Sequence, residues 1–197
     1  MLNLKNLFTR ALLALTLVAG CGFGMSTAAA GPIYRVTIDT AGTSGQGVFD
    51  FAFLGYETAA PATAMLSNFR GDYVDSATEG DASGSLETGI VLGNSVFSSF
   101  LPTVNLGGLF GFDVEFNVMG EGDGTTFAVT LYDTGFTEVL LSQGALVQID
   151  LMPGVADVLA IDRAVVDVSE VPEPAALALL VLGLGLMAST ARARRMR

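Results

Sequence analysis

The sequence predicts an all-β protein folded as an antiparallel two-sheet sandwich, with a jelly-roll-like variant as the second arrangement. Two observations lead to this prediction. The apolar runs between residues 31 and 171 alternate apolar with polar residues, as half-buried strands do. Glycine-rich turns separate these runs at short intervals, and no stretch of that region keeps a helical period.

The predicted strands follow one another along this region. The first covers residues 33–39 and is rich in β-branched side chains, which favour strands. The second places Phe49, Phe51 and Phe53 at a period of two, so these rings are predicted to face the core. The same alternation predicts that Phe112 and Phe116 are core residues. The remaining candidate strands are 62–69, 85–92, 110–118, 125–132, 146–151 and 155–168.

A secretory signal peptide is predicted at residues 1–30. Two basic residues precede an apolar run at residues 11–19, and small residues follow it. Ala28 and Ala30 stand before Gly31 in the pattern that signal peptidase cleaves. The mature chain is therefore predicted to begin at Gly31, with a β-sandwich ectodomain over residues 31–170.

A second processing route stays open at Cys21. The preceding residues Val18-Ala19-Gly20 make this position resemble a bacterial lipobox, in which the cysteine would be lipidated and become the first residue. Cys21 is the single cysteine of the chain. Cleavage after Ala30 would remove it, so the exported domain would then have no disulfide and would depend on its packed core.

The last 27 residues, 171–197, are predicted to form a separate unit. Pro172, Glu173 and Pro174 come first, and the two prolines make the triplet stiff, extended and unable to join a helix. An uncharged apolar run at residues 175–190 follows, which can satisfy its backbone in lipid as a transmembrane helix. Four arginines then hold the end of the chain on the cytoplasmic side. They are Arg192, Arg194, Arg195 and Arg197.

This order of triplet, apolar run and basic end resembles the PEP-CTERM sorting signal of Gram-negative bacterial surface proteins. The resemblance implies recognition by the membrane protease-transpeptidase exosortase. It also implies an intermediate anchored in the inner membrane, then delivery to the cell surface or extracellular matrix. A plain C-terminal membrane anchor is the alternative, although such an anchor has no use for the Pro-Glu-Pro triplet.

The region before the tail also resembles a family of PEP-CTERM proteins of unknown function. The segments that carry this resemblance are 31–40, 49–53, 67–69, 80–86 and 131–133. The resemblance implies a surface-sorted β domain with a link to exopolysaccharide and biofilm. It supplies no catalytic residues.

Charge excludes several classes of partner. Residues 31–171 hold nineteen acidic residues and three basic ones, which gives a net charge of −16. So acidic a surface repels nucleic acid, other polyanions and anionic lipid. It favours solubility, divalent cations or a cationic partner. The three basic residues are Arg35, Arg70 and Arg163.

The residue inventory excludes most catalytic chemistry. The chain has no histidine and no tryptophan, and the predicted mature domain has no cysteine. Nucleophilic triads and metal sites built from histidine or cysteine are therefore excluded. Glycosidase chemistry needs two carboxylates at a set separation, so composition leaves it possible. Because nineteen carboxylates would produce such a pair by chance, the protein is predicted not to be an enzyme.

Two acidic segments are weak candidates for calcium binding through oxygen ligands. The first contains Asp72, Asp75, Glu79 and Asp81, and the second places Glu121 and Asp123 among glycines. Neither matches the EF-hand loop or the calcium-binding nonapeptide repeat. No other cofactor is predicted.

These observations predict a non-enzymatic surface or matrix protein that exosortase sorts and that associates with exopolysaccharide. Its expected partners are exosortase, transiently the inner membrane, and exopolysaccharide, with no nucleic acid. The alternative is a carbohydrate- or calcium-binding module of the same surface layer.

Overall fold

The computed structural model describes residues 32–171, and every regular element in this range is a β-strand. The twelve strands are β1 (Ile33–Asp39), β2 (Gln46–Gly55), β3 (Ala62–Arg70), β4 (Tyr73–Glu79), β5 (Ala82–Ser85), β6 (Gly89–Gly93), β7 (Ser98–Asn105), β8 (Leu109–Val118), β9 (Thr125–Asp133), β10 (Val147–Leu151), β11 (Val158–Ile161) and β12 (Val166–Val171).

The strands form two six-stranded sheets, and neighbouring strands pair antiparallel throughout both sheets. Sheet A has the order β12-β1-β8-β3-β6-β5, and sheet B has the order β11-β10-β9-β2-β7-β4. The first eight strands pair like the two arms of one long hairpin rolled over on itself, because β1 pairs with β8, β2 with β7 and β3 with β6. That is the jelly-roll pairing. Strands β9 to β12 extend the two sheets, and the predicted antiparallel sandwich is confirmed.

The core lies between the sheets and is dominated by phenylalanine. Phe51 of β2 lies at its centre, and its ring meets that of Phe112 on β8 edge to face at 4.9 Å. Phe49 and Phe53 flank Phe51 on the same strand, and Phe53 stacks on Phe116 at 6.4 Å. All five rings are buried. Edge-to-face pairs contribute beyond the area they bury, so these contacts help to fix how the sheets pack. The inward faces predicted for β2 and β8 are confirmed.

Two of the predicted strands are wrong in extent. The 85–92 segment is interrupted: β5 ends at Ser85 and β6 begins at Gly89, with a turn between them. Gly84 and Gly89 have positive φ there, which allows the tight reversal. The 155–168 segment divides into β11 and β12, which belong to different sheets because the chain turns at residues 162–165.

Two further strands are missing from the sequence prediction. Strand β4 is an exposed edge strand, so its residues carry no apolar alternation that could indicate it. Strand β7 contains Pro102, a residue that normally argues against a strand with neighbours on both sides. The register between β4 and β7 shifts between Tyr73 and Asp75, and such an irregularity is common at sheet edges.

Several predictions concern residues outside the described range. These are the signal peptide with Ala28, Ala30 and Gly31, the alternative site at Cys21, the Pro172-Glu173-Pro174 triplet, the apolar run and the four arginines. Within residues 32–171 there is no helix long and apolar enough to cross a membrane. The predicted domain boundary at residue 171 stays a prediction, although β12 includes Val171.

Candidate functional site

A cluster of ion-paired and hydrogen-bonded side chains surrounds Asp113, on the outer face of sheet A. Asp113 of β8 lies opposite Arg35 of β1 in the sheet register. Arg35 donates from Nε to Oδ1 and from Nη2 to Oδ2 of Asp113, both at 2.9 Å, which is a bidentate ion pair. Asn68 donates from Nδ2 to Oδ2 at 2.9 Å. Arg70 adds a second guanidinium, whose Nη2 lies 3.7 Å from Oδ1.

A bulge in β3 delivers Asn68 and Arg70 to this cluster. The register between β3 and β8 shifts between Ser67 and Arg70, and Asn68 has a φ of 52°. Asparagine tolerates this left-handed conformation better than most residues. Gly111 opposite Arg70 leaves room for the guanidinium, because a Cβ there would lie 2.9 Å from its Nε. The bulge and the glycine together allow the Arg70 side chain to reach Asp113 on the neighbouring strand β8.

The electrostatics of the cluster follow from this geometry. Asp113 is 3% exposed although it lies on the outer face, because the arginine side chains cover it. The hydrogen bonds from Arg35 lower the pKa of the Asp113 carboxyl, and Asn68 and the charge of Arg70 lower it further, against the effect of burial. Asp113 therefore stays ionised, and two half-exposed guanidinium groups share one carboxylate. Guanidinium N–H groups that do not contact Asp113 are donors of the kind that bind anions with planar oxygens.

The sequence gives no signal for this cluster. Alternation places Arg35 and Asp113 on outward faces, but their pairing depends on the register between β1 and β8. The positions of Asn68 and Arg70 depend on the bulge. No local pattern in the sequence identifies any of these contacts.

Asp50 is the prominent carboxyl on the outer face of sheet B. It lies between Phe49 and Phe51 on β2 and accepts a hydrogen bond from the buried Ser99 of β7. Burial raises the pKa of the Asp50 carboxyl, and the charge of Glu79 adds to this, while the hydrogen bond from Ser99 opposes it. A raised pKa also occurs in purely structural surroundings, so it does not by itself indicate a catalytic acid.

The structure does not gather the first set of calcium candidates into one site. Asp75 and Glu79 both lie on the extended strand β4, where four residues span roughly 13 Å. At one end of that strand Asp72 accepts a hydrogen bond from Asn105 at 3.0 Å, and beyond the other end Asp81 accepts one from Ser95. Among residues 32–171 no three acidic, histidine or cysteine side chains are grouped so that they could hold a metal ion.

The second set lies in the loop between β8 and β9. There the carboxylate of Asp123 accepts a hydrogen bond from the Thr58 hydroxyl, and Glu121 is exposed. Asp123 therefore joins this loop to the one that follows β2.

A shallow pocket of about 400 Å³ lies beside strands β10 and β11. Gln148 and Ala160 from the two strands, the turn at residues 142–145 and Asp162 contribute to its lining. Amide, hydroxyl and carboxyl groups therefore surround it, and these groups hydrogen-bond to small polar ligands.

Residues 32–171 define the class of the described domain, which is an antiparallel β-sandwich. A family model for the PEP-CTERM protein-sorting motif matches residues 170–195. This match supports the identification as a PEP-CTERM protein and confirms the prediction from the tail. The motif implies exosortase processing, export and a membrane-anchored intermediate. No curated protein and no solved structure matches the chain.

Proposed function

We propose that the protein is a non-enzymatic component of the cell surface or extracellular matrix, sorted by exosortase and associated with exopolysaccharide. One observation carries the sorting part of this proposal. The match to the sorting motif begins at residue 170, inside β12, so the final residues of this strand belong to both the described sandwich and the motif. The link to exopolysaccharide and biofilm comes from the resemblance of residues 31–174 to a PEP-CTERM family.

The tail suits processing by a membrane protease for a physical reason. Pro172 and Pro174 lack backbone N–H groups and resist helix formation, so we expect an extended triplet. The apolar run after it enters the membrane, and the arginines beyond stay on the cytoplasmic side. The triplet then lies at the outer membrane surface, where a membrane-embedded enzyme can engage it. Cleavage there releases the domain for transfer to a surface acceptor.

The test of sorting compares two substitutions that remove one negative charge each. Glu173→Ala changes the triplet and leaves the length and basic end of the tail intact, so a plain anchor would be indifferent to it. We expect uncleaved Glu173→Ala protein to accumulate in the inner membrane. Asp167→Ala, on the exposed side of β12, is the matched control and should be sorted normally. If mass spectrometry shows that wild-type protein at the surface still ends at Arg197, the sorting proposal is wrong.

The association with polysaccharide and the lack of catalysis are tested together. Mature protein is incubated with exopolysaccharide from the producing strain, and the polymer is followed by size-exclusion chromatography. We expect the protein to co-elute with the polymer while the polymer keeps its length. Shortening of the polymer would contradict the non-enzymatic proposal, and separate elution would contradict the association.

The second candidate function is a carbohydrate-binding module that takes a short acidic sugar at one local basic site, although the domain as a whole repels long polyanions. The observation that favours it is the pair Arg35 and Arg70, half exposed beside the buried Asp113 on a domain of otherwise strongly negative charge. Guanidinium groups bind carboxylates in a planar, bidentate manner. Calorimetric titration with uronate oligosaccharides, neutral oligosaccharides and calcium chloride separates the possibilities. Micromolar binding of one defined ligand would place this candidate first. If that ligand is a uronate, its binding should be lost in the Arg70→Met variant.

A further inference from the structure

One end of the sandwich includes four loops at residues 56–61, 94–97, 119–124 and 152–157, and we call these four loops the loop end. The strand register places them together. Gly55, where β2 ends, pairs with Thr125, where β9 begins, and Thr125 also pairs with Leu151, where β10 ends. In sheet A, Ala62 at the start of β3 pairs with Val118 at the end of β8.

Hydrogen bonds hold these loops in one arrangement. The Asn94 side chain accepts from the Ala62 N–H at 2.9 Å and donates to the Ala60 carbonyl at 2.8 Å and to the Thr125 hydroxyl at 2.7 Å. The backbone of Asp123 exchanges hydrogen bonds with the loop after β2, at 3.0 Å with the Ala60 N–H and at 2.9 Å with the Thr58 carbonyl. The loops are therefore tied to each other as well as to their own strands.

The loop end exposes six large apolar side chains, each between 46% and 81% accessible. Single exposed apolar residues are normal on soluble proteins, but a concentration of them in one region indicates an interaction surface. The hydrogen bonds around Asn94 and Asp123 fix the loops that carry several of these side chains. The six residues are Tyr56, Val96, Phe97, Met119, Met152 and Val155.

The chain enters and leaves the domain at this same end. Ile33, the first residue of β1, pairs with Val171, the last residue of β12, and with Glu115 near the end of β8. After Val171, three residues separate the domain from the apolar run that begins at Ala175. Three residues reach at most roughly 10 Å, so a membrane segment that begins at Ala175 would hold the loop end close to the lipid headgroups.

We propose that the loop end contacts the lipid surface of the outer leaflet of the inner membrane while the sorting intermediate is anchored. This inference rests on the proposed sorting function. Tyrosine is enriched at membrane interfaces, where its ring meets lipid and its hydroxyl meets water, and Tyr56 is the most exposed of the six residues. The exposed Glu57 and Glu121 disfavour anionic lipid, so the surface fits zwitterionic headgroups. Contact would hold the Pro-Glu-Pro triplet at a constant height for a membrane protease.

The absence of tryptophan from the sequence provides a clean test. Tyr56→Trp places a fluorescent reporter at the loop end, and Phe136→Trp places one in the exposed turn after β9, at the opposite end of that strand. The nine residues of β9 separate the two ends by roughly 27 Å. Each full-length variant is reconstituted in phosphatidylcholine vesicles with and without brominated phosphatidylcholine. Met119→Trp serves as a second reporter if Tyr56→Trp does not fold.

We expect brominated lipid to quench the loop-end reporter severalfold more than the Phe136→Trp reporter, with a blue shift of its emission in vesicles. Equal or absent quenching in protein that floats with the vesicles overturns this inference and leaves the sorting proposal intact. Protein that does not float with the vesicles overturns both. Quenching that requires co-reconstituted exosortase also overturns the lipid contact and assigns the surface to the protease.

Discussion

At the scale of single residues, the hydrogen bonds and ion pairs of Asp113 restrict how the strands of sheet A can align. This carboxylate connects three neighbouring strands, because its partners Arg35 and Asn68 come from β1 and β3 and Asp113 itself from β8. A buried charge is stable when its hydrogen bonds are complete and becomes costly when a partner is removed. The cluster therefore stabilises one register of sheet A.

The first prediction concerns the Asp113 side chain. Asp113→Ala leaves Arg35 and Asn68 without their shared acceptor and should lower the free energy of unfolding by about 1.5–3 kcal/mol. Urea unfolding at pH 7 measures this. Arg35→Met should destabilise more than Arg70→Met, because Arg35 makes the bidentate contact at 2.9 Å and Arg70 lies at 3.7 Å. An equal loss in the two arginine variants would contradict the assigned geometry.

The ion pair of Asp113 with Arg35 also predicts how the stability of the protein depends on pH. The pKa of Asp113 is lowered in the folded protein, so its stabilisation is complete above the ordinary aspartate pKa of about 3.9. It is lost as the pH falls from there through the lowered folded pKa. The difference in stability between wild type and Asp113→Ala should therefore be constant near neutral pH and shrink in acid. A difference that grows below pH 4 would contradict this.

The second prediction concerns Asp50. Its pKa is raised in the folded protein, so its effect on stability as the pH changes is opposite to that of Asp113. The folded state disfavours the charged carboxylate, so ionisation costs stability as the pH rises above the unfolded pKa. Asp50→Asn should raise the melting temperature at pH 7 by about 2 °C or more. Asp167→Asn removes an exposed charge and is the matched control. The gain from Asp50→Asn should exceed that of the control and disappear near pH 3.

At the scale of secondary structure, glycines decide where the strands of sheet A turn. In the β5–β6 hairpin Gly84 has a φ of 110°, and a Cβ there would lie 2.0 Å from the Gly89 carbonyl oxygen. Apolar periodicity continues through this region in the sequence, yet the backbone reverses. Both the positive φ and the close approach of the paired strands therefore require glycine at this position.

The third prediction compares two glycine substitutions. Gly84→Ala should lower the free energy of unfolding by about 2 kcal/mol or more, since both strain and a backbone clash oppose it. Gly42→Ala is the control, because no atom lies within 4 Å of the Cβ that it would add. Chemical denaturation of both variants measures the difference. Equal stability of the two variants would show that the hairpin tolerates a side chain at Gly84.

At the scale of the whole molecule, charge opposes folding while the phenylalanine core supports it. The domain concentrates nineteen acidic residues against three basic ones, and two of those arginines are already engaged with Asp113. The remaining carboxylates repel one another across a small surface. Self-repulsion of this kind destabilises the compact state.

The fourth prediction follows from this repulsion. Raising sodium chloride from about 10 mM to 150 mM shortens the screening length from roughly 30 Å to 8 Å and should raise the melting temperature of the mature protein. Calcium chloride at equal ionic strength is the comparison. A flat or falling melting temperature in sodium chloride would contradict the role of repulsion. A much larger rise with calcium would instead indicate a specific site.

The sequence by itself determined the class of fold, the inward faces of β2 and β8 and the identity of the sorting tail. These features depend on local information. A period of two reports which face of a strand is buried, and the tail is recognised by the order of its residues. Each can be read without knowing which segments of the chain meet.

Only the tertiary structure decided which strands are neighbours and that Ile33 lies beside Val171. It also decided that Asp113 contacts Arg35, and that a bulge brings Asn68 and Arg70 to the same place. Strand β4 was not predicted because an exposed edge strand has no buried face to impose a pattern, and the calcium candidates Asp75 and Glu79 lie apart along this strand. Register results from side chains distant in sequence packing together, and a slip by one residue would exchange the two faces of a strand. Contacts of this kind produce no periodic pattern in the sequence. The cluster around Asp113 and the loop end therefore become visible only in the assembled sheets.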